Sequence, residues 1–158
     1  MKQTLYIETT IVSYLTSRPS RDALRRSHEL LTKQWWTKER LRFDLYISQL
    51  VLEGASGGDS GAAAERLRSL REITSLPLTN EIDELASRLA TALDLPRRAY
   101  ADAGHMAIAA VHGISFLLTW NCRHLANAAL ADRIDDTCER HGYSAPRIVT
   151  PEQLMERP

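Results

Sequence analysis

Asp102–Asn121, DAGHMAIAAVHGISFLLTWN, is the stretch that fixes the fold class of this chain. An acid opens a run of small and apolar residues with helical character, and Gly113 stops it. Ile114–Thr119 then follows as an unbroken apolar strand that ends at a Trp-Asn pair. A strand that is apolar on both faces needs cover on both, which is the condition of a parallel sheet between helical layers. The acid is the second signal. An ionised carboxylate on so apolar a helix must be paired, bind a cation or shift its pKa.

On either side of this stretch the same alternation recurs. Thr4–Ile7 reads as a short buried strand ending at Glu8, with Thr9 or Thr10 capping a short helix over IVSYL. Pro19 and Ser20 break the chain. Leu24, His28, Leu31 and Trp35 then recur at helical spacing, so residues 21–40 are expected to form an amphipathic helix with Arg21, Arg25, Lys33 and Lys38 on its polar face. Phe43–Ile47 reads as a second strand, and Ser48 as the cap of a short helix carrying Glu53. Gly54, Gly57, Gly58 and Gly61 mark a flexible loop, after which Ala63, Leu67 and Leu70 continue as a helix.

Ser75–Leu78 is a weaker strand, since Pro77 cannot donate to a ladder. Thr79 or Asn80 can cap a helix whose inner face is Ile82, Leu85, Ala86, Leu89 and Leu93, and Pro96 separates it from the Asp102 helix. A helical region is expected from about Leu125 to His141, then a last strand at Arg147–Val149 and a helical turn opened by Pro151. Strands alternating with helices imply a three-layer α/β/α domain with a mostly parallel central sheet, a single domain over residues 1–158.

The chain has 158 residues, enough to bury a substantial core. Twenty basic and twenty acidic residues balance to zero formal charge, so any nucleic-acid contact must come from local patches. Two cysteines make no disulfide framework, and no segment reaches the roughly 18 apolar residues of a membrane span. A reduced cytoplasmic setting and no membrane partner are expected.

Glu8 directly follows a strand, Glu53 lies just after another, and Asp102 opens the helix that feeds a third, whose end carries Asn121. In parallel sheets ligands gather beyond the carboxyl ends of the strands, so folding can bring these side chains to one edge. Carboxylates crowded together repel one another without a cation. Hard ions such as Mg²⁺ or Mn²⁺ prefer such oxygen ligands, and a bound ion can activate water against a phosphodiester.

On these residues the chain resembles the PIN-domain ribonucleases, and most closely the VapC-like toxins of bacterial toxin–antitoxin pairs. The matching pieces are LYIETTIVSYL, SQLVLEGAS and DAGHMAIAAVHGISFLLTWNCRHLAN, in order along essentially the whole chain. The resemblance implies a Mg²⁺- or Mn²⁺-dependent endoribonuclease with Glu8, Glu53 and Asp102 as metal ligands and Asn121 in the fourth position, completing the shell or orienting water. It also implies a protein antitoxin as partner and a homodimer. Two residues depart from the family pattern. Glu8 is one methylene longer than the usual Asp, and Asn121 is neutral where many members carry Asp. A non-catalytic module that binds RNA or protein, with a degenerate acidic site, is the alternative.

The remaining polar residues divide between ordinary and functional roles. His105, three residues after Asp102, is expected to be a buried, satisfied histidine. Thr119 and Arg123 flank Asn121 and can serve as a strand-end cap and a surface charge, or hold a phosphate. Cys122, His124, Cys138 and His141 lack the paired ligand spacing of a structural zinc site. Arg18, Arg21, Arg25 and Arg26, and separately Arg97 and Arg98, are local basic clusters able to contact an RNA backbone. Trp35 falls on the apolar stripe, and Trp36 falls off it, where it can cover a dimer or antitoxin surface.

Overall fold

A computed structural model describes residues 1–156, so the last two residues of the expected 1–158 domain lie outside the described residues. The strand β1 (Gln3–Ile7) forms the middle of the sheet, and its Leu5, Tyr6 and Ile7 have no exposed surface. It pairs in parallel with β2 (Phe43–Ser48) through Gln3–Phe43 to Tyr6–Tyr46, and with β4 (Phe116–Leu118) through Leu5–Phe116 to Ile7–Leu118. β3 (Thr74–Leu76) and β5 (Arg147–Val149) complete a five-stranded, all-parallel sheet of order β3-β2-β1-β4-β5. Helices complete the three-layer α/β/α architecture: α1 (Thr9–Thr16), α2 (Ala23–Lys38), α3 (Gln49–Ala55), α4 (Ser60–Leu70), α5 (Asn80–Ala92), α6 (Tyr100–Val111) and α7 (Ala128–Arg140). Among the described residues no helix is long and apolar enough to cross a membrane.

The apolar run at β4 is buried on both faces, as a central parallel strand requires. Full burial of side chains such as Leu5, Ile7 and Leu117 contributes roughly 1.5–3 kcal/mol each by transfer from water. Gly113 adopts φ +66 just past α6, the left-handed turn for which glycine is suited. Pro77 falls directly after β3, at the sheet edge where a missing N–H costs no ladder bond.

Several local expectations are corrected. The helix after β1 is capped by Glu8 itself, whose carboxylate accepts from the Thr10 N–H, rather than by Thr9 or Thr10. Ser48 stands at the start of α3, but its hydroxyl turns to the Tyr6 OH, 2.7 Å away, and makes no cap bond. The glycine stretch is shorter as a loop than its composition implies. Gly54 lies in α3 and Gly61 in α4, and the Arg66 guanidinium ties the turn by donating to the Ala55 and Gly57 carbonyls. The helix expected from Leu125 begins at Ala128, where Asn127 caps it.

The largest correction concerns α2. Leu24 is 67 % exposed, and the inward face consists of Glu29, Thr32 and Trp35, with His28 exposed less than fully beside them and stacked on Trp120. The helix packs on α1 and, through Thr32 and His28, on Trp120 just beyond β4, so its inner face follows what those neighbours offer. Glu29 receives the Ser17 hydroxyl at 2.5 Å and the Ser20 N–H at 2.9 Å, with Arg25 and Arg26 at 3.9 and 3.8 Å. The Ser17 and Ser20 bonds, with Arg26 and Lys33 nearby, hold its carboxyl below the usual range. Apolar periodicity cannot place a buried, fully bonded glutamate on the inner face.

Candidate active site

Strand order alone singles out one crevice. From β1 the chain moves outward through β2 and β3, then returns to the other side of β1 with β4 and β5. The order therefore reverses between β1 and β4, and in parallel sheets the crevice beyond the carboxyl ends at such a reversal is where ligands gather. Glu8 and Thr119 are the first residues beyond those two strands, and Ile7 pairs with Leu118 directly before them. The Glu8 N–H continues the ladder to the Leu118 carbonyl at 3.1 Å.

Glu8 is only 4 % exposed, and its carboxylate accepts three hydrogen bonds. The Thr10 and Thr119 hydroxyls each donate to Oε1 at 2.6 Å, while the Thr10 N–H reaches Oε2 at 3.2 Å. Each hydroxyl has one proton, and both are directed to Glu8, so the 3.5 Å approach of the two threonine oxygens adds no third bond. Their lone pairs are used as well. Thr10 accepts from the Trp120 N–H and Thr119 from the Asn121 N–H, each at 2.9 Å.

Asp102 sits in the first turn of α6, where a carboxylate suits the positive end of the helix dipole. Its Oδ2 lies 3.1 Å from His124 Nδ1, and the two side chains are 15 % and 19 % exposed. Burial raises the Asp102 pKa, the His124 hydrogen bond opposes that, and the Glu8 charge raises it further. What links Asp102 to Glu8 is a series of hydrogen bonds, from Asp102 to His124, from the His124 N–H to the Asn121 side chain, from the Asn121 N–H to Thr119, and from Thr119 to Glu8.

Asn121 uses its side-chain oxygen to accept from the Arg123 and His124 N–H groups at 3.2 and 3.0 Å, and its carbonyl accepts from Leu125 and Ala126. It therefore forms the turn that delivers His124 to Asp102. Sequence spacing presents His124 only as part of a poor zinc set, and a contact 22 residues distant carries no periodic signal. The other zinc-set residues are scattered: Cys122 is exposed, Cys138 is buried, and His141 bonds to the Thr137 carbonyl.

Glu53 is exposed on α3 and does not join Glu8 and Asp102. Its neighbour Gly54 nevertheless lies hard against Thr9. A β-carbon there would come within 2.8 Å of Thr9 Cγ2, so α3 reaches the residue next to Glu8. Among the described residues, no three or more His, Cys, Asp or Glu side chains converge as a metal-holding set. In donor chemistry the Glu8 and Asp102 carboxylates fit a hard dication, whose charge would relieve their repulsion, while Glu53 stays outside.

His105 is buried, with Nδ1 2.7 Å from the Tyr6 OH, in a chain that runs on to Ser48. Burial lowers its pKa and raises that of Tyr6, so both remain neutral and structural. Trp120 is fixed beside the crevice by its Nε1–H to Thr32 at 2.6 Å, by His28 stacked at 4.0 Å, and by Tyr14 packed edge-on at 6.4 Å. The Arg25 guanidinium lies 5.3 Å from the ring centre of Tyr14, the same ring that packs on Trp120, and Arg18, Arg21 and Arg25 are all exposed. Arg97, Arg98 and Arg123 lie away from the core, and Trp36 is half-buried beneath Arg40, 4.3 Å from its ring centre. No protein-family model matches the chain, and no curated protein matches it either.

Proposed function

We propose that this protein is a Mg²⁺- or Mn²⁺-dependent endoribonuclease of the PIN type, the toxin of a cytoplasmic toxin–antitoxin pair. The observation that carries the reading is the hydrogen-bond path that links the two acids past the sheet's switch point: Glu8 accepts from Thr119, Thr119 from the Asn121 N–H, the Asn121 side chain from the His124 N–H, and His124 meets Asp102 at 3.1 Å. Glu8 and Asp102 would hold the ion, and Glu53, exposed on α3, would be no more than an outlying carboxylate. The ion would supply an activated water and charge stabilisation for phosphodiester hydrolysis. Thr10 and Thr119 orient Glu8, Asn121 shapes the turn behind it, and the Arg18–Arg25 surface neutralises RNA phosphates. A protein antitoxin over the crevice and a homodimer complete the proposal.

The full-length protein should cleave single-stranded or structured RNA only when Mn²⁺ or Mg²⁺ is present, and Mn²⁺ should raise its melting temperature. Asp102→Ala should lower cleavage by roughly 100-fold or more, the scale of losing one electrostatic contributor to a charged transition state. Unchanged cleavage in that variant, with no Mn²⁺ shift in the wild type, sinks the reading. One observation favours a second reading, a non-catalytic RNA-binding module. The Glu8 oxygens are already engaged by Thr10 and Thr119, and among the described residues no third acid converges on them. Binding of RNA without cleavage at any metal concentration would select it.

A further inference from the structure

We propose that His124 is a positioning residue for Asp102, donating its Nδ1–H to Oδ2 and fixing how that carboxylate faces the crevice. The proposal rests on the metallonuclease reading above and adds to it the element that sets the site. The contact is 3.1 Å between two largely buried side chains. What makes His124 more than a chance neighbour is how it is held. Its N–H and that of Arg123 are both taken by the Asn121 side chain, Leu125 and Ala126 bond to the Asn121 carbonyl, and Leu125 is buried as an anchor.

The same short segment also holds the other acid. Thr119 donates to Glu8 and accepts from the Asn121 N–H, while the Trp120 N–H supports Thr10, the second hydroxyl on Glu8. An unbroken path of hydrogen bonds therefore runs from Glu8 through Thr119, Asn121 and His124 to Asp102. The strand β1 and the helix α6 approach the crevice from different parts of the chain. The Thr119–His124 segment ties their acids to one frame. Partners of this kind, one layer behind the ligating oxygens, set ligand orientation.

The first test needs neither metal nor substrate. Long-range ¹H–¹⁵N NMR of the full-length protein at alkaline pH should find the His124 proton on Nδ1 in the wild type and redistributed in Asp102→Ala. A proton on Nε2 in the wild type, or no change in the variant, overturns the proposal. The second test compares two replacements. The amide of His124→Asn can donate from near the Nδ1 position, whereas His124→Phe fills the space without a donor. With Mn²⁺, His124→Phe should lose kcat by about 10- to 100-fold, the usual effect of removing an outer partner of a metal ligand. KM for RNA should stay nearly constant, and His124→Asn should remain close to the wild type. Equal losses in two folded variants, or a change confined to KM, also overturn it. Should the wild type cleave no RNA, the nuclease reading fails, and the NMR result still decides whether His124 orients Asp102.

Discussion

Thr119→Val tests the centre of the site with a methyl group in place of a hydroxyl. Valine keeps the branched shape at a fully buried position and removes only the polar atom. Two bonds are lost: the 2.6 Å donation to Glu8 and the 2.9 Å acceptance from the Asn121 N–H. A hydrogen bond to a carboxylate is worth ~1.5–3 kcal/mol, and an N–H left without a partner costs ~1–3 kcal/mol. Glu8 retains the Thr10 hydroxyl and N–H, and Asn121 is half-buried, so both values fall toward their lower ends. The expected destabilisation is about 2–4 kcal/mol, or a fall of roughly 5–15 °C in Tm for a domain of this size.

Urea unfolding followed by circular dichroism measures that loss, and a double-mutant cycle with Glu8→Gln assigns it. The valine effect should shrink by about 1 kcal/mol or more when Glu8→Gln is already present, because the two side chains are in direct contact. A loss below about 0.5 kcal/mol, within the ordinary range of surface changes, or equal losses with and without Glu8→Gln, would refute the placement of Thr119 on Glu8.

Three other perturbations have definite expected outcomes. Burial raises the Asp102 pKa above its unfolded value of about 3.9, so the folded state binds that proton more tightly; the Asp102 contribution to stability should therefore fall as pH climbs above about 4, opposite in sign to that of Glu29, and Asp102→Asn should gain relative to the wild type across that window in pH-dependent urea unfolding. Burial pushes the Cys138 thiol up to about 11, so a thiol reagent at neutral pH should label Cys122 alone in the native protein and both cysteines after denaturation, and native labelling of both would contradict the packing. Gly54→Ala would bring a β-carbon within 2.8 Å of Thr9 Cγ2 and 2.9 Å of its Oγ1, and thermal melts should show a loss of about 1–3 kcal/mol, with an unchanged Tm counting against the close approach of α3 to α1.

The elements legible in the sequence are those whose burial leaves a local mark. The apolar run of β4 and the three buried residues of β1 announce a covered sheet because a parallel strand between helices must be apolar on both faces. Gly113 marks the end of α6 because its φ of +66 suits glycine. The face of α2 escapes such a reading, since Glu29 and Thr32 are inside while Leu24 is out. Their burial depends on Ser17, Ser20 and Trp120, residues elsewhere in the chain that no helical period can report.

The acids divide in the same way. That Glu8 stands at a strand end and Asp102 at a helix start follows from the sequence, because strand and helix boundaries are written in adjacent residues. Other facts came only with the folded arrangement: β1 and β4 are neighbours, Thr119 therefore meets Glu8, and the Asn121 turn brings His124 to Asp102 while Glu53 remains exposed. A hydrogen bond between distant segments depends on how strands are ordered and turns are closed, and neither leaves a pattern in the spacing of residues along the chain.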